Sequence, residues 1–189
     1  MTLSILVLCL VSLQRLGELA LARRNTARLL ARGAVEVGAR HYPLIVGLHA
    51  AWLAGLWLLA WDRPADLGWL AVYVILQGLR AWTLLSLGAR WTTRIISLPG
   101  EPLVRRGPYR FFAHPNYAVV VGEIAVLPLV FHMPVYAAVF SAFNAVVLWV
   151  RIRAEAGALS RSQAPETEVR PGRSARASGR SPAPPPRTG

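Results

Sequence analysis

The sequence predicts an all-α fold, a polytopic integral membrane helical bundle of about five transmembrane helices that closes with a short C-terminal hairpin. The chain is 54% hydrophobic, and its mean hydropathy of +0.41 is high for a soluble domain. The hydrophobic residues fall in long runs, several of them near the roughly 20 residues that a helix needs to cross the hydrocarbon core. Arginine-rich segments follow every second run, as expected for loops on one side of a membrane.

The first run extends over residues 3–22 and has the length of a transmembrane helix. A secretory signal peptide is the alternative interpretation. However, no basic residue precedes the run, Arg15 and Glu18 interrupt it, and Arg23 follows it, so the charge pattern is not that of a signal peptide. We therefore predict that the first helix spans the membrane.

Two further runs, 42–61 and 67–89, predict the second and third helices, with a turn around Asp62-Arg63-Pro64 between them. The last two runs, 117–131 and 135–150, are shorter. Helices of fifteen or sixteen residues reach only about 24 Å, which is less than the roughly 30 Å core. We predict a hairpin that tilts, thins the membrane locally or does not cross it completely.

The arginines predict the orientation of the helices. The loops after the first, third and fifth runs are rich in arginine, whereas the opposite loops hold only Arg63. Because basic loops remain in the cytoplasm, we expect the amino terminus outside and the arginine-rich loops inside. The arginines concerned are Arg23, Arg24, Arg28, Arg32 and Arg40; Arg90, Arg94, Arg105, Arg106 and Arg110; and Arg151 and Arg153.

The net charge of +12 is also found in nucleic-acid-binding proteins. We reject that class because the arginines alternate with hydrophobic runs and do not cluster on one soluble module. The lone cysteine, Cys9, excludes an intrachain disulfide and a metal site built from cysteines. His41 and His49 lie near the start of the second run without accompanying cysteine or aspartate ligands, so no metal site is predicted.

Three segments are predicted along the chain. Residues 1–89 form the N-terminal transmembrane helices, and residues 90–159 form a catalytic region that contains the hairpin. Residues 160–189 contain six prolines and almost no large apolar side chain. Such a composition does not bury enough surface to offset the entropy of ordering, so we predict a disordered tail.

Polar residues concentrate in the stretch 107–117, Gly-Pro-Tyr-Arg-Phe-Phe-Ala-His-Pro-Asn-Tyr, where a basic loop meets an apolar run. His114-Pro115 predicts a helix start, because the residue before proline avoids the helical region and proline suits a first turn. The backbone N–H groups of Asn116, Tyr117 and Ala118 would then be free. A helix amino terminus of this kind favours an anion such as a carboxylate.

A second polar pair, Arg151 and Glu155, follows the fifth run and shares one helix face because its members are four residues apart. A short hairpin would bring this pair to His114, Asn116 and Tyr117 and form a pocket for a zwitterionic molecule with a cationic centre. The alternative is an ordinary interfacial ion pair between Arg151 and Glu155, with His114 solvated. Spacing alone leaves both interpretations open.

The segment 109–117, followed by a hairpin and Arg151-x-x-x-Glu155, resembles the isoprenylcysteine carboxyl methyltransferase family, specifically over residues 90–159. The resemblance implies an integral membrane enzyme that transfers a methyl group from S-adenosylmethionine without a Rossmann domain. It also implies that the arginine matching Arg151 addresses the acceptor. The residues matching those that hold the cofactor are Glu101, Pro102, Leu103, Val104, Tyr109, His114, Pro115, Asn116, Tyr117 and Glu155.

Four upstream motifs look like a bacterial branch of this family: Gln-Arg-Leu-x-Glu at 14–18, Arg-Asn at 24–25, Gly-Ala-Val-Glu at 33–36 and His-Tyr-Pro at 41–43. Members of that branch sit beside type III polyketide synthases and methylate alkylpyrone or alkylresorcinol-type products. The resemblance therefore implies a bacterial inner-membrane enzyme, and the distribution of the arginines predicts that its active site faces the cytoplasm. Its acceptor would be a prenylcysteine-type carboxylate or an alkylpyrone or alkylresorcinol hydroxyl, with a functional association with a polyketide synthase.

Two features depart from the family pattern. Ala156 follows Glu155 where members often carry a second acid, and the chain becomes the Pro/Arg-rich tail after Leu159 where members usually continue as a longer helix. These departures concern the affinity for the cofactor more than the type of reaction.

Four charged residues fall inside the predicted spans, where a charge is costly and is by default a candidate for function. Glu123 is either one half of a structural ion pair, with Arg80 as its partner, or a base that faces the substrate. Arg15 and Glu18 either pair with each other or contact the substrate.

The leading hypothesis is methyl transfer in which Arg151 holds the acceptor oxygen, and Glu123 or His114 takes its proton if one must leave. The alternative is a non-catalytic membrane protein that binds lipid or holds a partner enzyme through its arginine-rich face. That alternative explains the charge and the topology but not the motif at 109–117 together with Arg151 and Glu155. A transporter fragment is less favoured because the sequence lacks an obvious repeat or pair of broken helices.

Overall fold

Helices dominate the computed structural model, which describes residues 2–37, 39, 42–98, 104–112 and 114–162, with the backbone alone described for residues 2 and 154–162. Within these ranges the α-helices are α1 (Thr2–Ala31), α2 (Tyr42–Ala60), α3 (Leu67–Leu87), α4 (Pro115–Val130) and α5 (Pro134–Ser162). Two short strands, β1 (Val35–Val37) and β2 (Ile95–Ser97), pair antiparallel.

The predicted fold class is confirmed. Among the described residues, α1, α2, α3 and α5 are long and apolar enough to cross a membrane, and α4, with 16 residues, is the short arm of the predicted hairpin. The other arm is longer than predicted: α5 has 29 residues, and its part 134–153 is an apolar span of 20 residues. The hydrophobic run ends near Val150, but the arginines and alanines that follow are good helix formers, so the helix continues.

The ends of two other predicted segments also differ from the structure. Helix α1 continues beyond residue 22 to Ala31, because the arginines and leucines there favour helix even where they end a hydrophobic run. Helix α5 includes residues 160–162, which were expected to belong to the disordered tail. The rest of that tail, 163–189, lies outside the described residues.

One end of the bundle gathers most of the arginines and is called the arginine-rich end below. The Asn25 amide, late in α1, donates to the carbonyl of Trp91, just after α3, at 2.8 Å. The Arg151 guanidinium, near the end of the α5 span, donates to the Tyr117 hydroxyl in the first turn of α4 at 2.9 Å. The ends of α1, α3 and α5 therefore lie together with the start of α4, as alternating antiparallel helices require.

The opposite end of the bundle is held by contacts near the turns. The hydroxyl of Ser4, at the start of α1, donates to the carbonyl of Arg63. The N–H of Asp66 donates to the carbonyl of Val130 at 2.8 Å, and the Asp66 side chain caps α3 by accepting from the N–H of Trp69 at 3.0 Å. Four helices thus meet at this end through α1, the turn between α2 and α3, and the last residue of α4.

The helices approach closely at two glycines, because glycine has no side chain to hold them apart. A Cβ added at Gly122 of α4 would lie 2.9 Å from the Leu76 side chain of α3, and one added at Gly55 of α2 would meet the Tyr136 hydroxyl of α5. Tyr136 in turn donates to the carbonyl of Trp52 at 2.8 Å. These contacts bring α3 against α4 and α2 against α5.

Four charged side chains form a buried cluster between α1, α3 and α4, here called the ion cluster: Arg15, Glu18, Arg80 and Glu123. The Glu123 carboxylate is fully buried, and its Oε2 accepts from Arg15 at 2.8 Å and from Arg80 at 2.7 Å. The Glu18 carboxylate accepts from Arg80 through two bonds of 2.5 Å and from Arg15 at 3.2 Å. The predicted pairings of Arg80 with Glu123 and of Arg15 with Glu18 are both present.

Two glutamine side chains complete the ion cluster. The Gln77 amide donates to Oε1 of Glu123 at 2.8 Å, and the Gln14 amide donates to Gln77 at 2.7 Å and to Glu18 at 3.0 Å. Two positive and two negative groups cancel, and all four carboxylate oxygens accept hydrogen bonds. Charges can remain at membrane depth when they are paired and hydrogen-bonded in this way.

Removal of the Glu123 carboxylate tests the structural role of the ion cluster. The change Glu123→Ala leaves two buried guanidinium groups short of an acceptor, and we expect a loss of about 3–5 kcal/mol of stability. Glu123→Gln retains an acceptor oxygen and should cost less. The exposed Asp62, changed to Ala, is the matched control. Thermal unfolding in detergent, followed by circular dichroism, measures the effect; equal melting temperatures for Glu123→Ala and the parent protein would contradict it.

Candidate active site between the helices

A pocket of about 380 Å³ lies between α1, α2, α4 and α5 and reaches the loop after α3. Its volume falls in the range of about 300–1,000 Å³ that is common for small-molecule sites, and most of its lining is apolar, as in such sites. Toward the arginine-rich end it is lined by an outer polar group: Tyr42, Thr93, Asn116, Tyr117 and Arg151. Farther from that end it is lined by an inner polar group, Ser12, His49 and Asn144, and by Arg15, Glu18 and Arg80 of the ion cluster.

Arg151 is held at the pocket by two hydrogen bonds. Its Nε donates to the Tyr117 hydroxyl at 2.9 Å, and its Nη1 donates to the carbonyl of Thr93 at 2.9 Å. The guanidinium carbon also lies 5.5 Å from the centre of the Tyr117 ring. The two arms of the hairpin therefore meet, which places Tyr117 and Arg151 in one pocket as the sequence predicts.

The first turn of α4 differs from the prediction in one respect. The N–H groups of Tyr117 and Ala118 donate to the carbonyl of His114 at 3.1 and 3.3 Å, so the expectation that they are free is wrong. The physical reason is that the residue preceding a helix already supplies the first intrahelical acceptor. The anion-binding capacity of this terminus is correspondingly smaller. The His114 ring is exposed and stacks on Tyr117 with ring centres 5.1 Å apart.

Asn116 has an unsatisfied side-chain acceptor. Its Oδ1 is buried and has no hydrogen-bond partner within the described residues, although the side chain lines the pocket. The indole N–H of Trp91, which also lines the pocket, is likewise without an acceptor in the described part of the chain. Leaving a buried polar group unpaired costs about 1–3 kcal/mol, so these atoms mark places where a bound molecule can supply partners.

A small network next to the outer polar group connects it to the strands. The Tyr42 hydroxyl lies 3.1 Å from the Thr93 hydroxyl, and the Arg94 guanidinium lies 4.5 Å from the centre of the Tyr42 ring. Arg94 donates to Glu36 of β1 at 2.7 Å, and this hydrogen bond raises the pKa of Arg94. Because the Thr93 carbonyl receives Arg151, the sheet helps to position the guanidinium.

The inner polar group is less fully hydrogen-bonded than the outer one. The Ser12 hydroxyl donates to its own helix and accepts from the Trp57 indole at 2.9 Å. Nδ1 of His49 lies 2.9 Å from the carbonyl of Ile45, so this nitrogen carries the proton. Asn144 is only 2% exposed, and its amide makes no hydrogen bond with the described residues.

Glu123 lies behind the pocket rather than on its described lining. Three donors occupy its two oxygens, and it touches the pocket only through Arg15 and Arg80, which do line it. The sequence left two interpretations of Glu123 open, a structural ion pair and a base that faces the substrate. The arrangement of its partners is that of a structural ion pair.

Several residues predicted to hold a cofactor cannot be placed at the pocket. Glu101, Pro102 and Leu103 lie outside the described residues, and so does the Glu155 side chain, whose backbone belongs to α5. Val104, Tyr109 and His114 are described but are not part of the described pocket lining, and Pro115 is buried at the start of α4.

Sequence reasoning gave no role to several pocket residues. Asn144 carried a usable signal, because a lone amide in an apolar span is itself unusual. Tyr42 appeared only within an upstream motif, and His49 was considered only as a metal ligand. Thr93 offered no signal for its contact with Arg151, since that contact is made by a backbone carbonyl that any residue possesses.

Comparison with known proteins bears on the identity of this bundle. The family model described as the isoprenylcysteine carboxyl methyltransferase (ICMT) family matches residues 69–161. A Bacillus subtilis (strain 168) relative named "Uncharacterized protein YpbQ" is 44% identical over 159 residues, which cover 82% of this chain and 95% of that protein. An uncharacterized protein of Haemophilus influenzae is 26% identical over 159 residues, covering 80% of this chain and 91% of its own. No solved structure matches the chain.

The family match includes Arg80, Asn116, Tyr117 and Arg151, and the Bacillus subtilis relative is matched over nearly its whole length. Membership implies a membrane methyltransferase of the general kind. The chain belongs to the isoprenylcysteine carboxyl methyltransferase family.

Proposed function

We propose that this protein is an integral membrane O-methyltransferase that uses S-adenosylmethionine and acts on a lipophilic acceptor. The observation that carries the proposal is the pocket between the helices, where Arg151, Tyr117 and Asn116 of the family motifs meet beside a largely apolar lining. A non-catalytic scaffold has no need of such a pocket, and a lipid-binding protein has no need of the family motif residues Asn116, Tyr117 and Arg151 in it.

The residues present fit the cofactor. The unpartnered Oδ1 of Asn116 suits a donor such as an ammonium or a ribose hydroxyl, and the Trp91 indole N–H suits a carboxylate. By the family pattern, Tyr109, His114 and Glu155 complete this part of the site. When bound, the cofactor supplies an electrophilic methyl group for transfer to the acceptor oxygen.

Arg151 is the residue we assign to the acceptor oxygen. Its guanidinium is fixed by Tyr117 and by the Thr93 carbonyl, so little reorganisation is needed when an acceptor arrives. A fixed positive group attracts a carboxylate acceptor and stabilises the oxyanion of a phenol or an enol. The mostly apolar lining of the pocket lowers the local dielectric constant and strengthens this interaction.

The need for a base depends on the acceptor. A prenylcysteine-type carboxylate needs none, whereas an alkylpyrone or alkylresorcinol hydroxyl must lose its proton. Of the two predicted bases we assign that step to His114, whose ring stacks on Tyr117 at the edge of the pocket. Glu123 is the less suitable base, because its oxygens are occupied by two arginines and a glutamine. The motifs of the bacterial branch favour the hydroxyl acceptors, and with them a functional association with a polyketide synthase at the cytoplasmic face of a bacterial inner membrane.

Methyl transfer itself is the first test. Protein reconstituted in nanodiscs is supplied with methyl-labelled S-adenosylmethionine and, in turn, with a prenylcysteine, an alkylpyrone and an alkylresorcinol. We expect labelled lipid product from one acceptor class and binding of the cofactor in calorimetry. Absence of both cofactor binding and labelled product would favour the non-catalytic lipid-binding or scaffold function instead.

The role of Arg151 is tested against its neighbour on the same helix. Arg151→Ala should lower kcat/KM for the acceptor by about 10²–10³-fold, because a fixed donor to the reacting oxygen is lost. Arg153→Ala is the matched control, since Arg153 is exposed and packs over Trp149 instead. Steady-state kinetics with varied acceptor measure the effect, and equal losses in both variants would refute the assignment.

The role of Asn116 is tested by cofactor affinity. Asn116→Leu removes the unpartnered acceptor, and we expect the Kd for S-adenosylmethionine to rise by about tenfold or more, the value of one hydrogen bond to a charged group. Val121→Leu, an exposed position on the same helix, is the control. Calorimetry measures the Kd for S-adenosylmethionine in both variants. An unchanged Kd for Asn116→Leu would exclude Asn116 from the cofactor site.

A further inference from the structure

The inner polar group has no role in the proposed methyl transfer. Asn144 belongs to the apolar span of α5, is 2% exposed and lines the pocket with an amide that makes no hydrogen bond in the described part of the chain. A polar side chain at membrane depth is expensive and therefore marks a functional position by default. An amide provides both donors and an acceptor for a ligand.

His49 provides a complementary group in the same part of the pocket. Because its Nδ1 donates to the carbonyl of Ile45, Nε2 of the neutral ring is an acceptor. Nε2 has no partner among the described residues. A ligand hydroxyl could donate to His49 and accept from Asn144, which would satisfy both side chains at once.

The inner polar group lies at a fixed distance from the outer one. Asn144 precedes Arg151 by seven residues on α5, two helical turns or about 10 Å. His49 follows Tyr42 by the same interval on α2. On the α2 and α5 sides, the pocket wall between the two levels is apolar and is lined by Ile45, Val46, Val147 and Leu148, while Arg15, Glu18 and Arg80 of the ion cluster line the α1 and α3 sides. Along α2 and α5 the pocket therefore presents two polar levels separated by an apolar stretch.

We propose that Asn144 and His49 form a specificity site for a hydroxyl group carried on the apolar chain of the acceptor, about 10 Å from the oxygen that is methylated. The proposal rests on the proposed methyltransferase function and narrows its substrate class to chain-hydroxylated amphiphiles. A plain alkyl chain leaves the amide and the imidazole unpaired in hydrocarbon. A site built to hydrogen-bond a hydroxyl rejects an analogue that lacks it for this reason.

A hydroxyl scan along the acceptor chain tests the specificity site. The probes are alkylresorcinols of equal chain length, one unsubstituted and the others with a single hydroxyl moved one carbon at a time. Binding to the full-length protein in nanodiscs is measured by calorimetry, and methylation is measured separately. We expect one chain position, about 10 Å from the ring hydroxyl, to bind about tenfold more tightly than the unsubstituted chain.

Two variants assign that preference to its residues. In Asn144→Leu, which is close in shape, the ratio of the Kd values for the unsubstituted and hydroxylated probes should fall to near one. Val146→Leu, at an exposed position on the same helix, should keep the preference. Two results would overturn the proposal: equal Kd values for all probes in the parent protein, or an unchanged preference for one hydroxyl position in Asn144→Leu. The inner polar group would then have only trapped water as its partner. A binding maximum without methylation of any probe would count against the proposed function and not against the specificity site.

Discussion

The ion cluster is the interaction on which the rest of this bundle depends. Four charges at membrane depth are tolerable only together, because each would be costly alone in hydrocarbon. Their pairing requires α1, α3 and α4 to take one relative position, with Glu123 receiving both arginines. Since Arg15, Glu18 and Arg80 also line the pocket, the same requirement shapes one of its walls.

The hairpin of α4 and α5 supplies the opposite part of the pocket. Gly122 permits α4 to approach α3, and α5 packs against α2 through Tyr136 and Gly55. With both arms held, Tyr117 and Arg151 meet at the arginine-rich end, and the strand residue Glu36 positions Arg94 beside Tyr42. The outer polar group is therefore assembled from four separate segments of the chain, each fixed by its own packing.

The features that could be predicted from the sequence are those that depend on hydrophobic runs and on motifs. The five helices, the pairing of Arg80 with Glu123 and the meeting of Tyr117 with Arg151 all follow from run lengths, from the cost of unpaired charge and from a hairpin. The ends of α1 and α5 did not follow, because hydropathy stops where helix propensity continues. The two three-residue strands and the Thr93 carbonyl depend on tertiary pairing, which leaves no local pattern.

The central claim is that the pocket between α1, α2, α4 and α5 holds both the methyl donor and the acceptor oxygen. A structure of the protein in nanodiscs with S-adenosylhomocysteine bound is the most direct measurement of it. We expect the ligand within hydrogen-bonding distance of Asn116, with its sulfur facing the Arg151 guanidinium. A ligand bound away from α4, or with its sulfur directed away from Arg151, would contradict the account.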